Sequence, residues 1–320
     1  MRKKMERIRH LPNPLFLYTK PKYIKNHSII LLFLRDIGME ILWSVSYTHL
    51  ISLFAAGCGS AKASPWALDP SVECDEIRPL VGNADVCILV QDGQLGLIDY
   101  EGNVRLEPKY SSIYQCFCGD NGNNIAVDGY VLNENYEIAG EHPGHGLGND
   151  YAAWNATENK AVSISYDDIY PFEGYGEGRL YVVPEVTVSE SPYGGQVAQN
   201  TGKYGYIDGA GNLVIPCQFE DAFEFCGGLA RVYQEGKYGY VLEDGTISIP
   251  IEYDDAYDFG EGVAAVCENG AWKYIDTSGT VVIDLGLEAA LPASNGKAWA
   301  KLDGKWGILD IEAARSSNQQ

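Results

Sequence analysis

The sequence predicts an all-β fold, a tandem array of ~34-residue three-stranded β-repeats. Three observations carry the prediction. KYGYIDGAGNLVIP at Lys203, KYGYVLEDGTISIP at Lys237 and AWKYIDTSGTVVID at Ala271 start 34 residues apart, and KWGILD follows at Lys305 after another 34. Within each core the side chains alternate, so Tyr204 and Tyr206 share one face while Gly205 and Ile207 share the other. Glycine and proline then recur at fixed offsets, as turns and strand ends require.

Each element has its own reason. A strand such as Leu229–Tyr233 opens the unit. A turn follows at Gly202, Gly236, Gly270 or Gly304, and at Gly93 near the start of the array, where the backbone needs positive φ. The second strand, such as Lys237–Leu242, carries Gly205, Gly239 or Gly307 mid-strand. Glycine weakens a strand, so its place there predicts a close approach, expected to come from the rings of the adjoining repeat. Gly102, Gly211, Gly245 and Gly279 close a second hairpin. The third strand, such as Thr246–Ile249, is read as ending at Pro216 or Pro250.

These residues resemble the WG-repeat family, also called KWG repeats. The resemblance rests on KWG at Lys305–Gly307, KYG at Lys203–Gly205 and Lys237–Gly239, the ID that follows, and the G-x-x-VIP tail. YDDAYDFGEGVAAV at Tyr253–Val266 looks like the family's inter-unit linker and first strand. The resemblance implies a bacterial, often exported protein of variable copy number, without an assigned reaction.

Read in order, residues 1–57 form a leader, and 58–73 a tether of small, polar and proline residues. LFAAGCGS at Leu53–Ser60 resembles a bacterial lipoprotein signal, with Cys58 as the lipidated residue; an ordinary secretory signal is the alternative. VSYTHL at Val45–Leu50 looks like a translated adapter, which would make residues 1–50 chimeric. The repeat domain spans 74–310 and a frayed tail 311–320. Seven units are expected, at Gly96, Gly129, Ala152, Gly205, Gly239, Lys273 and Gly307, with a surface loop inserted at Pro184–Thr201. Because family copy number varies, an open, solenoid-like stack is favoured; a seven-unit β-propeller, closed by strands shared between the ends, is the alternative.

Charge narrows the partners. The chain has a net charge of −21, and residues 1–57 are basic, so the repeat body is more acidic still. Such a body repels phosphate backbones, which argues against nucleic acid. The expected partner is a protein or cell-wall glycan, with the membrane reached only through the lipid anchor.

No phosphate-binding loop, dinucleotide fingerprint or nucleophile elbow is present, so no cofactor and no enzyme activity are expected. Three features could bind something. Asp167, Glu220, Asp254 and Glu288 align once per unit, with Asp75 a looser match. They read as a row that could hold a hard cation or an amine-bearing wall polymer, or as turn residues accepting local backbone hydrogen bonds. If two of them faced one another across a cleft, a glycan-active enzyme would be the competing reading; a purely structural spacer is the third. Tyr204, Tyr238, Trp272 and Trp306 align as a stripe, read as core or as a sugar-stacking ladder, while Tyr233, Tyr257 and Trp299 lie nearer turns and are expected to be exposed. The eight cysteines give no metal spacing, and His142 with His145 in a Gly/Pro loop lacks the helix of a zinc motif, so no metal site is expected.

Overall fold

In the computed structural model the 34-residue period becomes a succession of twisted sheets arranged like a six-bladed β-propeller. The structure describes residues 64–116, 124–142, 151–165, 169–175, 178–192 and 194–318, within one compact unit, Lys62–Gln320. The leader, Cys58, Asp167 and His145 lie outside the described residues.

Strand β1 is Trp66–Val72. The first sheet is β2 (Glu76–Pro79), β3 (Val86–Gln91), β4 (Gln94–Asp99) and β5 (Val104–Tyr110). The second is β6 (Ile113–Cys116), β7 (Asn124–Val127), β8 (Tyr130–Leu132) and β9 (Ile138–Glu141). The third has six strands: β10 (Tyr151–Asn155), β11 (Lys160–Ile164), β12 (Ile169–Pro171), β13 (Tyr181–Glu190), β14 (Gln196–Ile207) and β15 (Leu213–Phe219). The fourth is β16 (Asp221–Cys226), β17 (Leu229–Gln234), β18 (Lys237–Val241) and β19 (Ile247–Tyr253). The fifth is β20 (Asp255–Ala256), β21 (Val263–Glu268), β22 (Ala271–Asp276) and β23 (Val281–Leu287). The sixth joins β24 (Ala289–Ala290), β25 (Lys297–Leu302) and β26 (Lys305–Asp310) to β1.

That last sheet decides the architecture. β1 pairs antiparallel with β26, Leu68 opposite Ile308 and Val72 opposite Trp306, so the N-terminal strand completes the C-terminal unit. The open, solenoid-like stack is therefore not found, and the propeller alternative is. Residues 66–72, read from sequence as tether, are structural.

Six sheets replace the expected seven units because two units share one sheet. β10 carries Ala152 and β14 carries Gly205, yet both lie in the third sheet, where β10 runs parallel to β13 through Trp154–Glu185 and Asn155–Val186. The insertion at Pro184–Thr201 is not a loop: Val186 to Glu190 pair with Asn200 to Gln196 and extend the hairpin as a ribbon.

Sheets of four strands arise from three-strand repeats because the third strand does not stop at its proline. It runs on past Pro216 or Pro250, turns a corner at Glu220 or Asp254, and becomes the first strand of the next sheet. The turn between the second and third strands of each four-stranded sheet is tight. Pairs such as Asn269–Gly270 (φ 53° and 79°) and Asp303–Gly304 (φ 51° and 76°) both take positive φ, the type I′ geometry that matches strand twist.

The mid-strand glycine has a different cause from the one expected. Tyr204 faces Phe219 and Tyr206 faces Ile215, so residues 216–218 stand opposite Gly205 alone. The same three-against-one bulge recurs opposite Gly96, Gly239, Lys273 and Gly307. A Cβ on Gly205 would lie 2.5 Å from the Ile215 carbonyl oxygen, and one on Gly307 2.7 Å from that of Leu68. The gap is thus filled by the bulged backbone of the neighbouring strand in the same sheet, not by rings of the adjoining unit. Lys273 stands where that glycine is missing, and only there does the facing bulge contain a positive-φ residue, Gly286 (φ 68°).

Adjoining sheets meet elsewhere. The turn glycines Gly245 and Gly279 pack on Ile215 and Ile249 of the preceding sheet, within 3.4 and 3.5 Å of an added Cβ. Buried Tyr206, Tyr240 and Tyr274 each donate a hydroxyl hydrogen to a carbonyl 17 residues on, Phe223, Tyr257 and Leu291, in the next sheet. The tail is not frayed: Ile311–Asn318 forms helix α1, whose N-terminus is capped by Asp310 Oδ1 accepting from the Ala313 N–H, with Ile311 and Ala314 buried.

Candidate functional site

The acidic row marks the corners. Glu220, Asp254 and Glu288 are the single residues between one sheet's last strand and the next sheet's first. Their N–H groups donate to the carbonyls of Tyr233, Cys267 and Lys301 at 2.9 Å. The Asp254 carboxylate accepts from Lys237 Nζ and from the Asn269 N–H, and Glu288 Oε1 accepts from the Gly304 N–H at 3.0 Å. Asp254 and Glu288 thus each hold the hairpin turn of the sheet they enter. At the second sheet the arrangement is reversed: the corner is Ser111–Ser112, and Asp128 in the turn supplies the carboxylate that accepts both N–H groups. The neighbouring Asp221 and Asp255 accept from the Ala222 and Ala256 N–H groups. Asp75 donates its N–H to the Val90 carbonyl at 3.1 Å.

The electrostatics follow from these bonds. Lys237 beside Asp254, then the Asn269 N–H, hold the Asp254 carboxyl below the usual range. The Ser111 N–H does the same for Asp128, and the Asn212 side chain for Asp208. At Asp99 burial works the other way, but bonds from Asn103, Glu101 and Arg105 outweigh it and the carboxyl is lowered. A hard cation needs several free oxygens. Among the described residues no three His, Cys, Asp or Glu side chains converge on one point.

The aromatic positions divide. Tyr204, Tyr238 and Trp272 are half-buried and Trp306 is buried, its indole N–H without a hydrogen-bond partner. Tyr233 is half-buried against Tyr238, with ring centroids 4.7 Å apart, and Tyr257 is half-buried and stacked on Trp272 at 5.5 Å. Trp299 contradicts its expected exposure. It is fully buried, and its indole N–H donates to the Asp99 carbonyl at 3.2 Å. Its alternation position in β25 points across to the first sheet, which nearness to a turn does not reveal.

Burial pushes the Cys74 and Cys87 thiols up to about 11 and Cys217 to about 12, so these sulfurs carry little thiolate. Cys116 is disulfide-bonded, and His142 Nε2 lies 2.9 Å from its sulfur.

Two constellations escaped the sequence reading. Arg231, only 12% exposed, bonds Asp258 Oδ1 at 2.8 Å and the Ala256 carbonyl at 2.8 Å, with its guanidinium 3.6 Å from the Phe223 ring centroid. It ties the fourth sheet to the fifth, and a charge on the inward face of LARVYQ was its signal. The second is an aromatic cluster at the third sheet. Phe172 meets Tyr175 edge-on at 4.9 Å, Tyr175 lies 4.5 Å from Tyr181, and the Arg179 guanidinium sits 4.6 Å over the Tyr181 ring. Tyr175 is 43% exposed, and its N–H donates to the Gly209 carbonyl at 2.9 Å.

Closed succession of sheets, corner carboxylates and inter-sheet tyrosines together define a β-repeat protein of propeller-like form. The family model described as WG containing repeat matches the chain at residues 96–116, 204–238, 238–272 and 274–306. No curated protein matches the chain. Solved structures similar to it include a streptogramin B lyase, at 13% identity over 77% of this chain and 99% of that one with a TM-score of 0.37. BBS1N in a complex with ARL6DN is similar at 13% identity over 78% and 97%, TM-score 0.37, and the AfRom2 CNH domain at 10% over 78% and 97%, TM-score 0.29. These likenesses say nothing about activity.

Proposed function

We propose that the chain is a membrane-tethered, extracytoplasmic repeat module that binds a protein or cell-wall glycan and has no catalytic activity of its own. The observation that carries this reading is how the acids are used. Asp99, Asp128, Asp208, Asp254 and Asp276 accept hydrogen bonds within or between hairpins, and all are held below the usual carboxylate range. A glycosidic general acid needs the opposite shift and a second carboxyl across the scissile bond. The acidic surface keeps sheet edges from pairing with other chains, and a prolyl bulge does the same at Pro70, Pro108, Pro216 and Pro250. Tethering rests on the sequence around Cys58. Lipid labelling of the full chain in cells, with and without the signal-peptidase inhibitor globomycin, tests it. A labelled, globomycin-sensitive envelope protein is expected; an unlabelled chain with its leader intact in the cytoplasm would remove the anchor and the compartment together.

A further inference from the structure

The repeat plan is broken in the third sheet. In the fourth, fifth and sixth sheets the chain enters the second strand through a two-residue pair at positive φ: Gly227–Gly228, Glu261–Gly262 and Asn295–Gly296. In the third sheet the corresponding stretch brings Tyr175 and Arg179 to the surface between β12 and β13. Phe172, which aligns with Phe225 and Phe259, has also changed partner. Those two rings pack on the inter-sheet tyrosines Tyr206 and Tyr240 at 5.0 and 4.8 Å, whereas Phe172 packs under Tyr175. The result is a ring packed on Phe172 and Tyr181, fixed to the sheet through the Gly209 carbonyl, and still 43% exposed.

The chemistry around that ring selects its occupant. Arg179 already covers the Tyr181 ring and repels a second cation, so an ammonium ligand is disfavoured. The chain's net charge of −21 disfavours a polyanion. A guanidinium donor thus stands one ring away from the exposed Tyr175. A pyranose fits that arrangement: its C–H face is apolar, and its edge carries hydroxyls that both donate and accept. We propose that Tyr175 is the stacking platform of a glycan-binding subsite, with Arg179 as a hydroxyl partner. This rests on the binding reading above and names its ligand class.

The test titrates the full chain with triacetylchitotriose, cellotriose and maltotriose, followed by calorimetry and ligand-observed NMR. At least one trisaccharide is expected to bind, with Tyr175→Ala weakening it by about tenfold or more and Arg179→Ala by a smaller factor. Tyr233→Ala should bind as wild type. Should Tyr175→Ala lower the urea midpoint, Tyr175→Leu, which keeps apolar bulk and removes the flat ring, takes its place. Absence of binding by all three sugars, or binding that both Tyr175 variants leave unchanged, overturns the subsite. Neither result touches the lipid-labelling outcome, so the tethered module and its glycan site fail separately.

Discussion

Replacing Gly239 by alanine tests the physical reason for the repeat. The residue has ordinary strand φ, so backbone strain at the glycine is not at issue. The added methyl would lie 2.7 Å from Ile251 Cα and 2.8 Å from its nitrogen and Cγ1, well inside van der Waals contact. Two of those three atoms are backbone, locked between Tyr253 opposite Tyr238 and Ile249 opposite Tyr240. Relief requires the bulge itself to move outward, and Ile249 and Tyr253 are core residues. Overpacking of this kind costs about 3 kcal/mol, at the upper end for one carbon because backbone must shift. Gly140→Ala is the control, since it also lies in a strand without positive φ but has nothing within 4 Å of its Cβ. That change should be neutral, or stabilising by up to about 1 kcal/mol through the unfolded chain. Urea denaturation of both variants at pH 7 measures the difference, and the thermal midpoint of Gly239→Ala should fall by roughly 6–12 °C. If Gly239→Ala unfolds within about 0.5 kcal/mol of wild type, the bulge is soft and the glycine is not there to receive it.

Other consequences follow from the same geometry. Tyr240→Phe removes the donor to the Tyr257 carbonyl and should cost about 1–3 kcal/mol, read by urea denaturation, because that carbonyl has lost its partner between two sheets. Acid should destabilise the fold: the Asp carboxyls bonded in turns titrate below their ordinary 3.8, so their contribution is complete above that value and disappears as pH falls through the lower folded-state values. Asp208→Asn should make the urea midpoint less sensitive to pH below 5, on the order of one carboxyl's share; an unchanged slope argues against the turn assignment. A chain that begins after Val72 loses β1 and leaves Trp306 and Gly307 at a bare edge, so size-exclusion chromatography should show association or aggregation.

Much of the local plan was legible. The positive-φ turns at Gly236, Gly270 and Gly304, and the second hairpin closed by Gly102, Gly245 and Gly279, are where their spacing put them. The reason is that turn chemistry acts over a few residues and needs no partner elsewhere. Mid-strand glycine was legible as a close approach, but not who approaches. Alternation shows which side chains share a face, and it is silent on a backbone bulge in the neighbouring strand. Trp299 shows the same gap: its position in β25 was readable, while the Asp99 carbonyl that receives its indole lies 200 residues away.

By itself the sequence determined a β-repeat of fixed period, its hairpins, its corner acids and the acidity of its surface. Tertiary structure alone decided that the ends meet, that two units merge into one sheet, and that a stray arginine bridges the fourth sheet to the fifth. An unpaired edge accepts any strand of matching geometry, so β1 and β26, some 240 residues apart, carry no mutual signature in their patterns. Their pairing is selected only once the twist of the intervening sheets brings the two edges together.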